Sequence, residues 1–288
     1  MHYKRYKTIL SPSGGMNLYR GCTHGCVYCD SRSTCYQFDH EFEDIEVKEN
    51  AVEMLDRELR RKRKPCMLVT GAMCDPYIPL EEELRVTRRS LEVVLRHGFG
   101  LAIQTKSARI MRDIDLLEEI NNKTRCVVQM TLTTRDDELC RVLEPNVSLT
   151  SERFDVLCAM RERGIPTVVW LSPILPFIND TRENIEGLLD YCVRAGVRAI
   201  VYFGAGVTLR DGDREYFYRA LDRHFPALKR KYIERYGNAY VCNSDNDAEL
   251  SALVRERTRQ HGIICGVDEA FAYIREFDVA ARQLSMLD

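Results

Sequence analysis

Between residues 48 and 203 the chain alternates segments of helical period with short apolar runs, and joins them by connections of a few residues. Helical patterns over 48–63, 81–97, 109–121, 151–163 and 181–195 each lead into an extended run, over 66–73, 99–105, 124–133, 166–172 and 197–203. Apolar runs without polar alternation belong to strands buried on both faces, and strands that alternate with helices pair in parallel. A short strand over 16–19 brings the expected strand number to six. The expected fold class is α/β: a partial (βα)6 TIM-like barrel, open rather than closed into eight strands. From Gly206 the pattern changes to helices at 213–222, 225–236, 246–261 and 268–276, with a turn at 242–246. No linker rich in Pro, Gly or Ser intervenes. Residues 206–288 therefore read as a helical extension packed on a core, 1–205, that carries its own N-terminal extension.

A chain of 288 residues with 45% apolar composition can bury roughly three quarters of its unfolded surface. Its 42 Lys+Arg face 44 Asp+Glu, a net charge of −2, so the total exerts no long-range pull on a polyanion. The basic run Arg60-Arg61-Lys62-Arg63-Lys64 falls between a helix and the next strand. In a barrel of βα units such loops lie on the face opposite the chemistry, and the run reads as a solvated helix end. Thr8-Ile9-Leu10-Ser11-Pro12 breaks the pattern before a signal-peptide core can form, and no apolar run is long enough to span a membrane. Of twelve cysteines, those at 66, 126, 158 and 192 lie singly in apolar segments. That is the usage of a reduced, cytoplasmic enzyme.

The remaining cysteine signal is concentrated. Cys22, Cys26 and Cys29 stand in Gly21-Cys22-Thr23-His24-Gly25-Cys26-Val27-Tyr28-Cys29-Asp30, a C-x3-C-x2-C run. The spacing would place three thiols on one helical face as an apolar stripe, but two glycines within five residues each cost roughly 1 kcal/mol in a helix interior. A loop needs them instead. Zinc could use Cys26 and Cys29 with His24 or Cys35, although structural zinc usually takes a second ligand pair and none follows. An electron-transfer cluster would need a fourth cysteine, for which Cys35 is the near candidate. Three thiolates around a [4Fe–4S] cluster leave one iron open to a ligand that is not protein.

This segment is similar to the signature of the radical S-adenosylmethionine (SAM) enzymes, in which the open iron chelates the amino and carboxylate groups of SAM. The likeness is nearest to the spore photoproduct lyase-like branch, through Asn17-Leu18-Tyr19-Arg20-Gly21-Cys22 before the cluster and Asp75-Pro76-Tyr77 after the second strand, and spans about residues 14–205. It implies a [4Fe–4S] cluster on Cys22, Cys26 and Cys29, SAM as second cofactor, an external electron donor such as flavodoxin or ferredoxin, and hydrogen abstraction from an unidentified substrate that faces the helical tail. A nucleic-acid repair enzyme and a non-catalytic iron–sulfur electron carrier are the rival readings; nucleic acid is not favoured by the charge balance.

The resemblance also nominates residues at the strand ends, where such folds carry their chemistry. Gly71-Ala72-Met73-Cys74-Asp75 departs from the family's Gly-Gly-Glu but occupies its place. It offers Asp75 for the amino end of SAM, against a plain turn role before Pro76. Lys106 is assigned to the SAM carboxylate, Thr131 and Thr133 to ribose or carboxylate, and Ile174 with Tyr28 to the adenine. Cys74 is the catalytic candidate, a thiol able to give a hydrogen atom to a substrate radical. Leu143-Glu144-Pro145 and Arg153 also resemble family segments, with Glu144 a candidate substrate contact, against the favoured reading of a helix-flanking surface carboxylate.

Overall fold

The computed structural model describes residues 1–277. Six strands form one sheet in chain order: Gly15–Met16, Met67–Thr70, Gly100–Thr105, Cys126–Thr131, Thr167–Trp170 and Ala199–Val201. Every neighbouring pair runs parallel, and the order closes no ring. The result is the expected open, partial barrel. The strands hold because they present largely apolar sequence to both sides: Leu101, Ile103, Val128, Met130 and Val169 are all fully buried, each such side chain contributing about 1.5–3 kcal/mol of burial.

The helices outside the sheet follow from their spacing. Ala51–Arg61 buries Ala51, Met54, Leu55 and Leu59, one stripe of a 3.6-residue period. Val86–His97 buries Val86, Leu91 and Val94 and ends on Gly98 at φ +69°, the left-handed cap that glycine takes without strain.

Several boundaries differ from the sequence reading, for reasons of pairing that lie far apart in the chain. The helix expected from 48 starts at Ala51, because Glu46–Lys48 is a strand between His2–Lys4 (parallel) and Tyr19–Arg20 (antiparallel). The strand expected over 16–19 is thereby divided: Gly15–Met16 joins the barrel and Tyr19–Arg20 joins this small outer sheet. The helix expected over 81–97 breaks at Arg85, whose φ is +51°, into Glu81–Leu84 and Val86–His97. A helix absent from the reading, Asp137–Leu143, is capped by Asp136, whose carboxylate accepts from the backbone N–H of Glu138 and Leu139 at 2.8 and 3.3 Å.

The four tail helices are Asp213–His224, Leu228–Tyr236, Asp247–Gln260 and Val267–Arg275. Between them Gly206–Thr208 pairs antiparallel with Val241–Asn243, so Cys242 and Asn243 belong to a strand rather than to the expected turn. Residues 278–288 of the expected extension lie outside the described residues. Phe217, Leu221 and Tyr232 of the tail share a buried cluster with Cys26, Val27, Tyr28 and Leu143. The tail thus helps to wall the cysteine loop. No helix among the described residues is long and apolar enough to cross a membrane.

Candidate cluster and cofactor site

The cysteine loop leaves the outer strand Tyr19–Arg20 through a turn that only glycine fits. Gly21 has φ +87°, and a Cβ there would meet the Phe42 carbonyl oxygen at 2.4 Å. Backbone hydrogen bonds then fix the loop: Cys22 N–H to the Phe42 carbonyl at 3.0 Å, Val27 N–H to Leu143 at 2.9 Å, and Asn146 N–H to His24 at 3.1 Å. Three cysteines so held line one small cavity of about 80 Å³, together with His24, Cys74, Lys106 and Thr131. All twelve cysteines are free thiols.

That cavity gives onto a larger one of about 450 Å³, since Cys26, Cys29, Ser31, Met73 and Lys106 line both. Trp170, Ser172, Pro173 and Phe203 from the fifth and sixth strand ends form one wall, and Val207, Val241 and Asn243 from the tail form another. The cysteine nest and a chamber for a sizeable ligand therefore meet at the carboxyl rim of the sheet.

Electrostatics differ around the nest. Burial pushes the Cys26 and Cys29 thiols up, whereas a hydrogen bond from the Cys74 thiol brings Cys22 down to about 6 against the cost of burial. Such thiols become ligands by releasing their protons to solvent as the metal binds. Burial works against the Lys106 ammonium, yet the sulfurs of Cys26 and Cys29 and the Glu144 carboxylate outweigh it and raise its pKa. Lys106 lies with its Nζ 5.9 Å from the Tyr28 ring centroid and forms no salt bridge among the described residues. It is a charged donor facing the chamber without a carboxylate of its own.

The other nominated residues divide. Asp75 is 8% exposed, and both its oxygens are engaged within the protein. Oδ1 accepts from Tyr77 N–H at 2.8 Å and Thr105 Oγ1 at 2.7 Å; Oδ2 accepts from Lys106 N–H at 2.7 Å, with His24 Nδ1 at 3.5 Å. It ties the second strand's loop to the third and sets the backbone of Lys106. Tyr28 lines the large cavity. Thr131 lines the small one, its buried Oγ1 without a hydrogen-bond partner. Thr133 has a similarly unpartnered Oγ1 but lines neither cavity; its carbonyl accepts from Asn179 and Asn184. Ile174 sits wholly within the barrel core, because the chain turns after Pro173, and Ser172 and Pro173 take the place at the cavity wall. Cys74 lines the small cavity and not the large one, its thiol directed to Cys22 and to the Asp75 carbonyl at 3.6 Å.

Glu144 is the largest departure. Read from sequence as a surface carboxylate, it is fully buried in an ion pair with Arg153, and the Tyr28 hydroxyl donates to its other oxygen. Arg153 also donates to the Thr131 carbonyl at 2.7 Å. Burial alone would raise the Glu144 pKa, but Arg153 and Lys106 hold it below the ordinary range. No signal local to the chain marks this triad, since its members come from three separate elements.

Comparison with known proteins decides the family. The model of the radical SAM superfamily matches residues 16–192. The chain belongs to the radical SAM superfamily. An uncharacterized protein of Mycobacterium tuberculosis is 31% identical over 234 residues, 77% of this chain and 66% of the relative; the match thus spans slightly less than two thirds of that protein. The radical SAM Nα-GlyT isomerase of Pseudomonas phage M6 is 23% identical over 193 residues, 67% of this chain and 38% of the other. Among solved structures, a spore photoproduct lyase mutant superposes with a TM-score of 0.65 at 15% identity, covering 90% of this chain and 78% of that one. A second, with bound AdoMet and dinucleoside spore photoproduct, gives 0.62 at 15% identity over 88% and 76%. These likenesses establish a shared fold.

A [4Fe–4S] cluster and SAM are accordingly the cofactors of this radical SAM protein. The residues present fit them: three free thiols converge, a lysine is without a salt bridge, and the buried atoms Thr131 Oγ1 and His24 Nε2 have no hydrogen-bond partner among the described residues.

Proposed function

We propose that this protein is a radical SAM enzyme that removes hydrogen from a substrate seated in the chamber of about 450 Å³. The observation that carries the reading is the meeting of the three-cysteine nest with that chamber across Cys26, Cys29 and Lys106. When bound and reduced, the cluster and SAM supply a 5′-deoxyadenosyl radical, the hard chemistry that protein side chains lack.

The chain's residues place and protect. Cys22, Cys26 and Cys29 anchor the cluster and leave one iron for SAM. Lys106 pairs with the SAM carboxylate, its backbone set by Asp75. Thr131 offers its free hydroxyl from the floor, and Tyr28 faces the adenosyl moiety from the loop. Glu144, held by Arg153, keeps the Tyr28 ring in place. Trp170, Pro173 and Phe203 give one side of the chamber an apolar wall and the tail residues Val207 and Val241 the other, with Phe203 and Val241 still exposed to solvent.

Cys74 serves in this reading as a hydrogen-atom donor from the small cavity, which opens into the chamber beside Met73 and Lys106. The free state of all twelve cysteines accords with a reducing, cytoplasmic setting, and the electron comes from an external carrier of the flavodoxin or ferredoxin kind.

The test is anaerobic reconstitution with iron and sulfide, followed by SAM and dithionite and chromatography of the products. Methionine and 5′-deoxyadenosine should appear together. Their absence from protein with a complete cluster would refute the enzymatic reading.

A further inference from the structure

Reductive cleavage of SAM consumes an electron that no group in the chain supplies. The chamber is the place of SAM and substrate, so a protein carrier must approach the cluster from elsewhere. A groove of about 320 Å³ on the outer side of the cysteine loop is formed by Gly25, Val27 and Pro145 together with Arg141, Arg219 and Arg223. Gly25 and Val27 flank Cys26, which itself lines both inner cavities. A single residue of chain thus separates groove from nest.

The walls of the groove carry one sign of charge. Tyr216, Arg219, Ala220 and Arg223 share one face of the helix Asp213–His224, at the three- and four-residue spacing that aligns side chains. Arg219 and Arg223 are exposed and form no salt bridge among the described residues. Arg141, opposite, is paired with Glu138; of the acids beside the two arginines on the helix, Asp222 is engaged by Lys229 at 2.5 Å and Glu215 accepts from the Gly212 N–H at 2.7 Å. The near-neutral total charge of the chain is therefore compatible with a local basic face beside the cluster loop.

The floor is rigid as well as close. Val27 N–H donates to the Leu143 carbonyl and Asn146 N–H to the His24 carbonyl, tying the cysteine loop to the end of the helix Asp137–Leu143 and the segment after it, and Val27 shares its buried cluster with Phe217 and Leu221 of the helix Asp213–His224. A docked carrier would meet a surface that does not need to reorganise, with complementary charge speeding its approach.

Resting on the radical SAM reading above, we infer that this groove docks a small acidic one-electron carrier protein, with Arg219 and Arg223 as its charge contacts. The carrier is oxidised by one electron, the oxidised cluster is reduced by one, and no atom crosses the interface.

The experiment compares the reconstituted protein with its R219E/R223E variant, using a recombinant flavodoxin as probe. Calorimetry at low and high salt reads the dissociation constant, and rapid-mixing absorbance reads cluster reduction by the flavodoxin hydroquinone and, separately, by dithionite. The inference predicts that the variant binds flavodoxin about tenfold or more weakly, with a flatter salt dependence, and that reduction by flavodoxin slows while reduction by dithionite is unchanged. Equal flavodoxin affinity in the two proteins would overturn it. So would a short DNA duplex whose binding is lost in the variant while that of flavodoxin is kept, which would give the groove to nucleic acid. Because flavodoxin binding is read without SAM, a failure of SAM cleavage bears on the proposed function and leaves this measurement intact.

Discussion

The hydroxyl of Tyr28 donates to the carboxylate of Glu144, a residue 116 positions further along the chain. Tyr28 immediately precedes the third cysteine, and Glu144 is itself clamped by Arg153, so the loop that carries the nest is tied to the helix that follows the fourth strand. Both charged groups are fully buried. A buried pair of this kind is costly to break from one side, because the remaining charge has neither water nor partner.

Replacing Glu144 by Gln should therefore destabilise the apoprotein by roughly 3–5 kcal/mol, read as a shift of the urea midpoint. The double variant E144M/R153M, which removes both charges and keeps the volume, should recover most of that loss. Gln keeps an amide oxygen that can accept from Tyr28, whereas the double variant lacks that acceptor and should reconstitute with less iron than the parent.

Lys106→Met should leave the iron content unchanged while weakening SAM. A charged hydrogen bond contributes about 1.5–3 kcal/mol, so the SAM dissociation constant should rise roughly tenfold to a hundredfold. Equilibrium dialysis with labelled SAM checks it. An unaltered constant would remove Lys106 from the site.

One variant of Cys74 separates two roles. C74A should retain the full iron content, since the cluster rests on the other three cysteines, and should still release 5′-deoxyadenosine. A hydrogen-donor role predicts a changed product distribution on the true substrate; loss of iron would instead make Cys74 a cluster ligand. Iron analysis and chromatography distinguish these.

Asp213 supplies a pH dependence that is independent of the nest. It is 1% exposed, and burial, with Asp30 nearby, raises its pKa from 3.8 to about 6. A carboxyl that binds its proton more tightly when folded contributes stability that is complete below pH 3.8 and lost as pH rises through about 6. Above that, the charged form is a penalty. D213N keeps an acceptor for the Arg210 N–H, now 2.5 Å from Oδ1, and should unfold at higher temperature than the parent at pH 8, the difference closing near pH 4. Parallel melting curves across that range measure it.

What the sequence discloses here is what is local. The cysteine run declares itself because its three ligands lie within eight residues, and the barrel declares itself because doubly buried strands are apolar over most of their length. Glu144 was misread because its partners, Tyr28 and Arg153, belong to other elements, and a carboxylate beside a helix end looks the same in sequence whether it faces water or a guanidinium. Ile174 illustrates a matter of register: a shift of one residue exchanges the core for the cavity wall, where Pro173 stands. The pairing of Gly206–Thr208 with Val241–Asn243 was hidden for the same reason as the outer sheet, since three-residue strands carry too short a pattern to announce distant partners. Asp75 falls between: its turn was legible, and its hold on Thr105 and Lys106 was not.

The central claim is that three cysteines hold a cluster whose remaining iron receives SAM. Electron paramagnetic resonance of the reduced, reconstituted protein during a SAM titration tests it directly. The account predicts the signal of a reduced [4Fe–4S] cluster, perturbed saturably by SAM and showing coupling to labelled nuclei of its amino and carboxylate groups. A spectrum indifferent to SAM, or a protein that takes up zinc in place of iron, would contradict it.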